Sequence, residues 1–155
     1  MPTVQQLASK QNIEVIEGLK KCALAVPADK RDWKPLELGR TVVNQVAECA
    51  LITGYIAKTI AAQSLPEFDK DGFETAQAGL DTLDKAIAAL DASANDLKAA
   101  IDGFPTNELD TTLAMPWFET PQTYADIMFI AYWNNTYHIG QINYIQTLYG
   151  DNVSH

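Results

Sequence analysis

The strongest pattern of hydrophobic positions lies in the second half of the chain. Between residues 73 and 101, apolar residues recur at alternating spacings of three and four, the repeat of a helix that packs along its length. They are Phe73, Ala76, Leu80, Leu83, Ile87, Leu90, Ala94, Leu97 and Ile101. Gly103 and Pro105 follow directly and are typical of a helix end. The pattern predicts one continuous helix from about Lys70 to Ile101.

Three further helices are predicted from the same kind of periodicity. They cover about Val4 to Leu24, about Thr41 to Ser64 and about Pro121 to Tyr149. Pro121 suits the first turn of the last helix, and Gly150 suits a C-terminal cap. No segment alternates apolar and polar residues over the length of a strand. Residues 25–40 and 102–120 contain proline and glycine, so both are predicted to be loops.

The lengths of the connections indicate how the helices are arranged. The second and third helices are joined by about five residues around Pro66, which predicts antiparallel neighbours. Each long loop can run the full length of a helix, because an extended stretch of about 16 residues spans about 50 Å, whereas a helix of about 24 residues spans about 36 Å. We therefore expect an all-α four-helix bundle, up-up-down-down with two long crossover loops, formed as a single domain by residues 1–155.

Composition narrows the classes of partner. The chain has 155 residues with 11 Lys and Arg against 20 Asp and Glu, a formal net charge of −9. This balance argues against binding to nucleic acid and to anionic membrane surfaces. No signal peptide and no membrane-length apolar run are present, so we expect a soluble, cytoplasmic protein. Cys22 and Cys49 have neither a redox nor a zinc spacing and are expected to be small buried hydrophobes.

The last predicted helix carries the most informative polar residues. His138 lies at the centre of an apolar stripe, and Asn134 lies one turn earlier on the same stripe. A histidine and an amide are therefore expected to face the interior of the bundle. One interpretation is a buried imidazole that is hydrogen-bonded to a neighbouring side chain, because an unpartnered buried polar group is costly. The other is a group that takes part in a functional site.

The second predicted helix offers one candidate partner for His138. Its main apolar stripe leaves Asn44, Glu48, Leu51 and Tyr55 on a different face. Periodicity alone predicts that Glu48 is a solvated carboxylate, and only a contact with His138 would change that interpretation. The sequence contains no nucleophile elbow, zinc-protease helix, dinucleotide fingerprint or phosphate-binding loop.

Two local motifs together resemble one protein family. The first loop and the start of the second helix contain Val26, Pro27, Lys30, Trp33, Pro35, Arg40 and Thr41. The last helix contains Asn134, His138, Gly140, Gln141, Ile142, Tyr144 and Gly150. In type and order these residues resemble the DinB-like (damage-inducible, YfiT-like) superfamily of metal-binding four-helix bundles. The resemblance covers nearly the whole chain.

The resemblance implies a metal site in which two of the usual ligands have been replaced. Members of this family hold a divalent ion with three histidines, one on the second helix and two on the fourth. The matching positions are Glu48, Asn134 and His138, with Asn44 in place of Glu48 if the register lies one turn earlier. One imidazole, one carboxylate and one amide bind zinc, nickel or iron(II) more weakly than three imidazoles do. Without a metal, the three side chains are able to hydrogen-bond one another.

Two functions follow from the resemblance, and the sequence does not assign catalytic residues to either. The first is a non-catalytic or small-molecule-binding, stress-related bundle with a degenerate metal site. The alternative is a metal-dependent enzyme similar to thiol S-transferases or hydrolases, in which nickel, zinc, manganese or iron activates a thiol or water. The resemblance also implies a homodimer, with a small-molecule thiol or another small ligand as partner.

Overall fold

The computed structural model describes residues 1–155 and consists mainly of helices. Its elements are α1 (Val4–Leu24), α2 (Val42–Ala62), α3 (Lys70–Gly79), α4 (Leu83–Asp102), β1 (Thr112–Leu113), β2 (Gln122–Thr123), α5 (Tyr124–Ile127) and α6 (Ile130–Leu148). The four long helices α1, α2, α4 and α6 form the bundle, so the predicted all-α class is confirmed. No helix combines the length and the apolar character that crossing a membrane requires.

Local sequence explains where the helices begin and end. Thr3 caps α1 by accepting from the Gln6 amide, while the Gln6 side chain accepts from Thr3, which satisfies two free amide groups at once. Thr41 is the N-cap of α2, where its hydroxyl accepts a hydrogen bond from the Asn44 backbone amide. After α6, Gly150 adopts a left-handed conformation with φ of 95°, the conformation that glycine supplies most easily at a helix end. The predicted first and second helices and the predicted end of the last one are confirmed.

The single helix predicted from Lys70 to Ile101 is wrong. Instead, α3 ends at Gly79, and α4 begins at Leu83 under a Thr82 cap. The chain reverses between them: α3 runs back along α2, where the Gln77 side-chain amide donates to the backbone carbonyl of Asn44 at 3.1 Å. The spacing of three and four residues continues across this reversal. Because the spacing shows only which positions face the core, it did not reveal that the chain turns.

The helix directions follow from contacts at the two ends of each pair. Asn12 donates to the backbone carbonyl of Met128 at 2.9 Å, and the Cys22 thiol lies 3.2 Å from the Asn143 side-chain oxygen. Because residues early in α1 meet the start of α6 and residues late in α1 meet its later part, these two helices are parallel.

The other two helices run the opposite way. Ser9 on α1 bonds to Asp102 at 2.6 Å and Lys20 bonds to Asp91 at 2.7 Å, so α4 is antiparallel to α1. On α2, residues 45 and 53 face residues 138 and 135 of α6, so α2 is antiparallel to α6. The order of directions is therefore up-down-down-up, and the predicted up-up-down-down order is wrong.

The helix directions differ from the prediction because of the paths that the connections take. A loop that is long enough to cross the bundle is not obliged to cross it. The loop from residue 25 to residue 41 stays at one end, where Trp33 packs edge-on against Tyr149 with ring centroids 6.1 Å apart. Only residues 63–82 run the length of the bundle, and they contain α3. The structure therefore has one lengthwise crossover rather than two.

The last predicted helix also begins later than expected. Pro121 precedes β2, which pairs antiparallel with β1 through Thr112 opposite Thr123. Thr123 then caps the single turn of α5, and Phe129 separates α5 from α6. Strands of two residues are too short to show alternation, which is why periodicity did not reveal them.

A layer of polar side chains divides the core. One apolar cluster contains Ala50 and Ile142, and the other contains Ile56 and Ala131. Between them, polar side chains from three helices are almost completely buried: Asn12, Gln45, Thr53, Asn135 and His138. Buried polar groups require partners inside the protein. This layer is therefore the candidate functional site.

Candidate functional site

His138 lies in the middle of α6 and is completely buried, as its apolar stripe predicts. Its Nδ1 lies 3.0 Å from Gln45 Oε1, and its Nε2 lies 3.1 Å from Glu48 Oε1. Gln45 and Glu48 are three residues apart on α2, so they lie on the same side of that helix. The structure therefore brings together His138 and Glu48, two of the three predicted site residues.

The partners of the ring determine where its hydrogens lie. An ionised carboxylate only accepts hydrogen bonds, so Nε2 donates to Glu48. At Nδ1, the Gln45 side chain presents its oxygen to a charged ring or, with the amide turned over, an N–H group to a neutral ring. Nε2 consequently carries a hydrogen in both charge states of His138.

The second oxygen of Glu48 is held by Arg40. The Arg40 Nη2 lies 2.5 Å from Glu48 Oε2, and the Arg40 Nε donates to Asn44 Oδ1 at 2.7 Å. Arg40 comes just before the Thr41 cap of α2, so the start of that helix fixes its position. Bonds between ionised groups are the strong ones. We call Arg40, Glu48, His138 and Gln45 the polar network.

The polar network keeps Glu48 ionised. The hydrogen bond from His138 is the largest influence on its pKa, burial opposes ionisation, and Arg40 favours it; together they lower the pKa of Glu48 from 4.5 to about 2. A carboxylate that is paired on both sides holds its charge strongly. The expectation that Glu48 is a solvated carboxylate is therefore wrong.

Asn134, the third predicted site residue, does not join the polar network. It is half-buried, and its Oδ1 is buried without a hydrogen-bond partner. The inward amide of α6 is the next residue, Asn135, which donates to the Thr53 hydroxyl at 3.3 Å and to the Ala131 carbonyl at 2.7 Å. The Glu48, Asn134 and His138 set is thus only partly assembled.

Sequence reasoning missed two members of the polar network. Gln45 precedes Glu48 by three residues, and this helical spacing is a signal that would have linked the two. Arg40 appeared in the motif that carries the family resemblance, but nothing in the sequence indicates that it contacts Glu48. Asn44, the alternative ligand on the second helix, binds Arg40 instead of His138.

The two cysteines lie outside this chemistry. Both are free and buried, as predicted. Burial raises the pKa of Cys22 to about 11 and raises the pKa of Cys49 as well. A buried thiol that stays protonated is a poor nucleophile, so neither cysteine is a candidate nucleophile.

Comparison with known proteins places this architecture in a family. A family model of the DinB superfamily matches residues 11–142. The chain belongs to the DinB superfamily. The matched range contains the whole polar network of this DinB-superfamily protein. No curated protein sequence matches the chain.

The residues present do not fit the metal site that DinB-like proteins carry. His138 Nε2 donates its hydrogen to Glu48, whereas a metal ligand needs a free lone pair. The Arg40 guanidinium on Glu48 adds a positive charge that repels a divalent ion. No group of three or more histidine, cysteine, aspartate or glutamate side chains assembles in a ligating arrangement. A metal at Glu48, Asn134 and His138 remains a prediction that these observations do not favour.

A small cavity adjoins the polar network at the start of α2. Its volume is about 240 Å³, and it is lined by Pro35, Leu38, Gly39, Arg40, Gln45, Gln141, Tyr144 and Ile145. Arg40 and Gln45 belong to both the cavity and the polar network. Gln141 donates to the Tyr137 hydroxyl at 2.8 Å, but its own Oε1 is buried without a partner. The cavity wall therefore includes the Arg40 guanidinium and the side-chain amides of Gln45 and Gln141.

Proposed function

We propose that this DinB-superfamily protein is a non-catalytic binding protein whose polar network stands in place of the family's metal. The observation that carries the proposal is the ion pair between Arg40 and Glu48 on the carboxylate that also holds His138. The guanidinium supplies the positive charge that a metal ion would supply and leaves the site without an open coordination position.

The chemistry of the polar network supports binding rather than proton transfer. A carboxylate with a pKa of about 2 is a weak base near neutral pH. The His138 ring has both nitrogens engaged, so it does not reach a substrate while these bonds last. The hydrogen bonds of the polar network hold Arg40 and Gln45 in fixed positions beside the cavity.

The cavity favours a small uncharged ligand. Its volume of about 240 Å³ lies below the range that is usual for drug-sized molecules. Glu48 already neutralises Arg40, and the net charge of −9 disfavours anions. Leu38 and Tyr144 supply apolar wall, Arg40 supplies donors, and Gln45 and Gln141 contribute side-chain amides. A compact primary amide, which carries both a donor and an acceptor, matches this set.

Ligand-observed NMR with small primary amides tests the proposal, with the corresponding carboxylates as matched probes. We expect the amides to bind and Gln141→Ala to weaken them about 3- to 10-fold, the effect of one lost hydrogen bond. Gln11→Ala removes the same side chain from α1 and should leave binding unchanged. Absence of amide binding, or equal binding to the Gln141→Ala protein, would contradict the proposed ligand class.

The alternative is a metal-dependent enzyme of the thiol-transferase or hydrolase type. The observation in its favour is the buried, unpartnered Oδ1 of Asn134, an oxygen that a metal ion would satisfy. This alternative requires Arg40 to leave Glu48 and His138 Nε2 to give up its hydrogen. The metal content of the purified protein distinguishes the two functions.

A further inference from the structure

A second cavity opens between α2, α4 and the segment that leads into α3. Its volume is about 370 Å³, within the range that is usual for small-molecule sites. Gly54 of α2 allows α4 to approach closely at this cavity, because a Cβ atom at Gly54 would lie 3.0 Å from the Ser93 hydroxyl oxygen. None of the lining residues belongs to the polar network or to the cavity beside it. We call it the aromatic cavity, after Tyr55, Phe68 and Phe73 in its wall.

The three rings form adjoining walls of the aromatic cavity. The Tyr55 and Phe68 rings are nearly perpendicular, at 87° with centroids 6.1 Å apart, and the Phe68 and Phe73 rings meet at 45° with centroids 5.7 Å apart. The Tyr55 hydroxyl donates to the Pro66 backbone carbonyl at 3.0 Å, which holds its ring in place. Because the face of an aromatic ring attracts positive charge, rings set at an angle can surround a cation on more than one side.

The charged side chains around the rings are mostly acidic. Glu67, Asp69 and Asp96 line the aromatic cavity together with a single cationic side chain, that of Lys58. None of these four side chains forms an ion pair within the chain. Three carboxylates against one ammonium leave the wall negative, in a chain whose net charge is already −9. The electrostatic field at this cavity therefore favours a positively charged ligand.

An organic cation suits this wall better than a metal ion does. A hard metal ion needs several oxygen ligands in direct contact, and the carboxylates here do not converge in a ligating arrangement. An alkylated ammonium group spreads its charge over methyl and methylene groups, which aromatic faces accommodate. We propose that the aromatic cavity binds a small organic cation that carries an alkylated ammonium group. The two cavities are separate, so the test of this proposal is independent of the function proposed for the polar network.

Choline and its uncharged carbon analogue test the proposal as a matched pair of probes. In 3,3-dimethylbutanol a carbon atom replaces the choline nitrogen, so the two molecules have nearly the same shape and differ in charge. Both carry three equivalent methyl groups, whose NMR signal reports binding. We expect choline to bind the wild-type protein about 10-fold more tightly than the alcohol does. Its methyl signal should move upfield, because ring faces shield hydrogens that lie over them.

Two substitutions separate the contribution of the rings from that of the charge. Phe68→Leu keeps an apolar side chain but removes the ring, and we expect it to weaken choline binding about 3- to 10-fold. Phe118→Leu makes the same change at another exposed phenylalanine, outside the aromatic cavity, and should leave binding unchanged. Glu67→Gln removes one carboxylate from the wall and should weaken binding about 2- to 5-fold, whereas Glu14→Gln on α1 should not. Circular dichroism confirms that each variant is folded.

Three results would overturn the proposal. The first is choline that does not bind the wild-type protein, and the second is choline that binds no more tightly than the alcohol. The third is binding to which Phe68 and Glu67 contribute no more than Phe118 and Glu14 do, because the cation would then lie outside the aromatic cavity.

Discussion

Replacing His138 with alanine is expected to lower the free energy of unfolding by about 3 to 5 kcal/mol. The substitution leaves the Glu48 carboxylate ionised with one partner gone, and it removes the hydrogen bond between the ring and the Gln45 side-chain amide. It also creates a cavity at a completely buried position. Urea unfolding near pH 7, followed by circular dichroism, measures the loss.

His155 provides the matched control for this substitution. Its ring also pairs with a carboxylate, that of Asp151 at 2.8 Å, but the pair lies at the end of the chain. The two side chains are 23% and 24% exposed, and an ion pair that water reaches contributes about 0 to 1 kcal/mol, so His155→Ala, which also leaves no buried cavity, should have little effect. If His138→Ala costs less than about 1 kcal/mol, the polar network does not contribute to stability as described.

Acid is expected to remove the stabilisation that Glu48 provides. The pKa of Glu48 is lowered from 4.5 to about 2 in the folded protein, so its contribution is complete above about pH 5 and is lost as the pH falls towards 2. At neutral pH the difference corresponds to about 2 to 3 kcal/mol, allowing for the partial exposure of the side chain. We expect about 2 kcal/mol of it to be lost between pH 7 and pH 3.

The measurement compares wild type with Glu48→Gln, which cannot titrate at this position. Unfolding free energies at pH 7 and pH 3 should show the advantage of wild type shrinking by that amount. Glu37→Gln changes an exposed carboxyl in the first loop and serves as the control. The stability of this variant should depend on pH as that of wild type does. An advantage that is the same at both pH values would show that Glu48 is not held ionised by His138 and Arg40.

Sequence periodicity predicted the elements of the bundle better than their connections. Periodicity alone gave α1 and α2 nearly correct bounds, and the structure shows Thr3 and Thr41 as the caps at which these helices begin. Helix direction depends on which end of the bundle a loop reaches, and loop length only sets an upper limit on that distance. The turn between α3 and α4 was missed because Leu80 and Leu83 both pack towards the same core cluster and keep the repeat intact.

The candidate site could be predicted only in part, for a related reason. The period of α6 gives the angle of each residue around that helix, and so it correctly predicted that His138 faces the interior of the bundle. It does not say which helix lies opposite, so periodicity predicted a solvated Glu48, and the family resemblance alone placed Glu48 in one site with His138. Arg40 lies in a loop, where no period applies. Asn134 and Asn135 are consecutive residues near the edge of the inward face of α6, and packing decides which of their side chains is buried in the core.

We propose that the Arg40 guanidinium takes the place of a metal in this member of the DinB superfamily. Elemental analysis of the protein tests this proposal. The protein is purified without a histidine tag, incubated with nickel, zinc, manganese or iron(II) and then desalted. We predict far less than one ion per chain, with no difference between wild type and the Glu48→Ala and His138→Ala variants. Near-stoichiometric metal in wild type that is lost in both variants would contradict the claim and favour the metal-dependent enzyme.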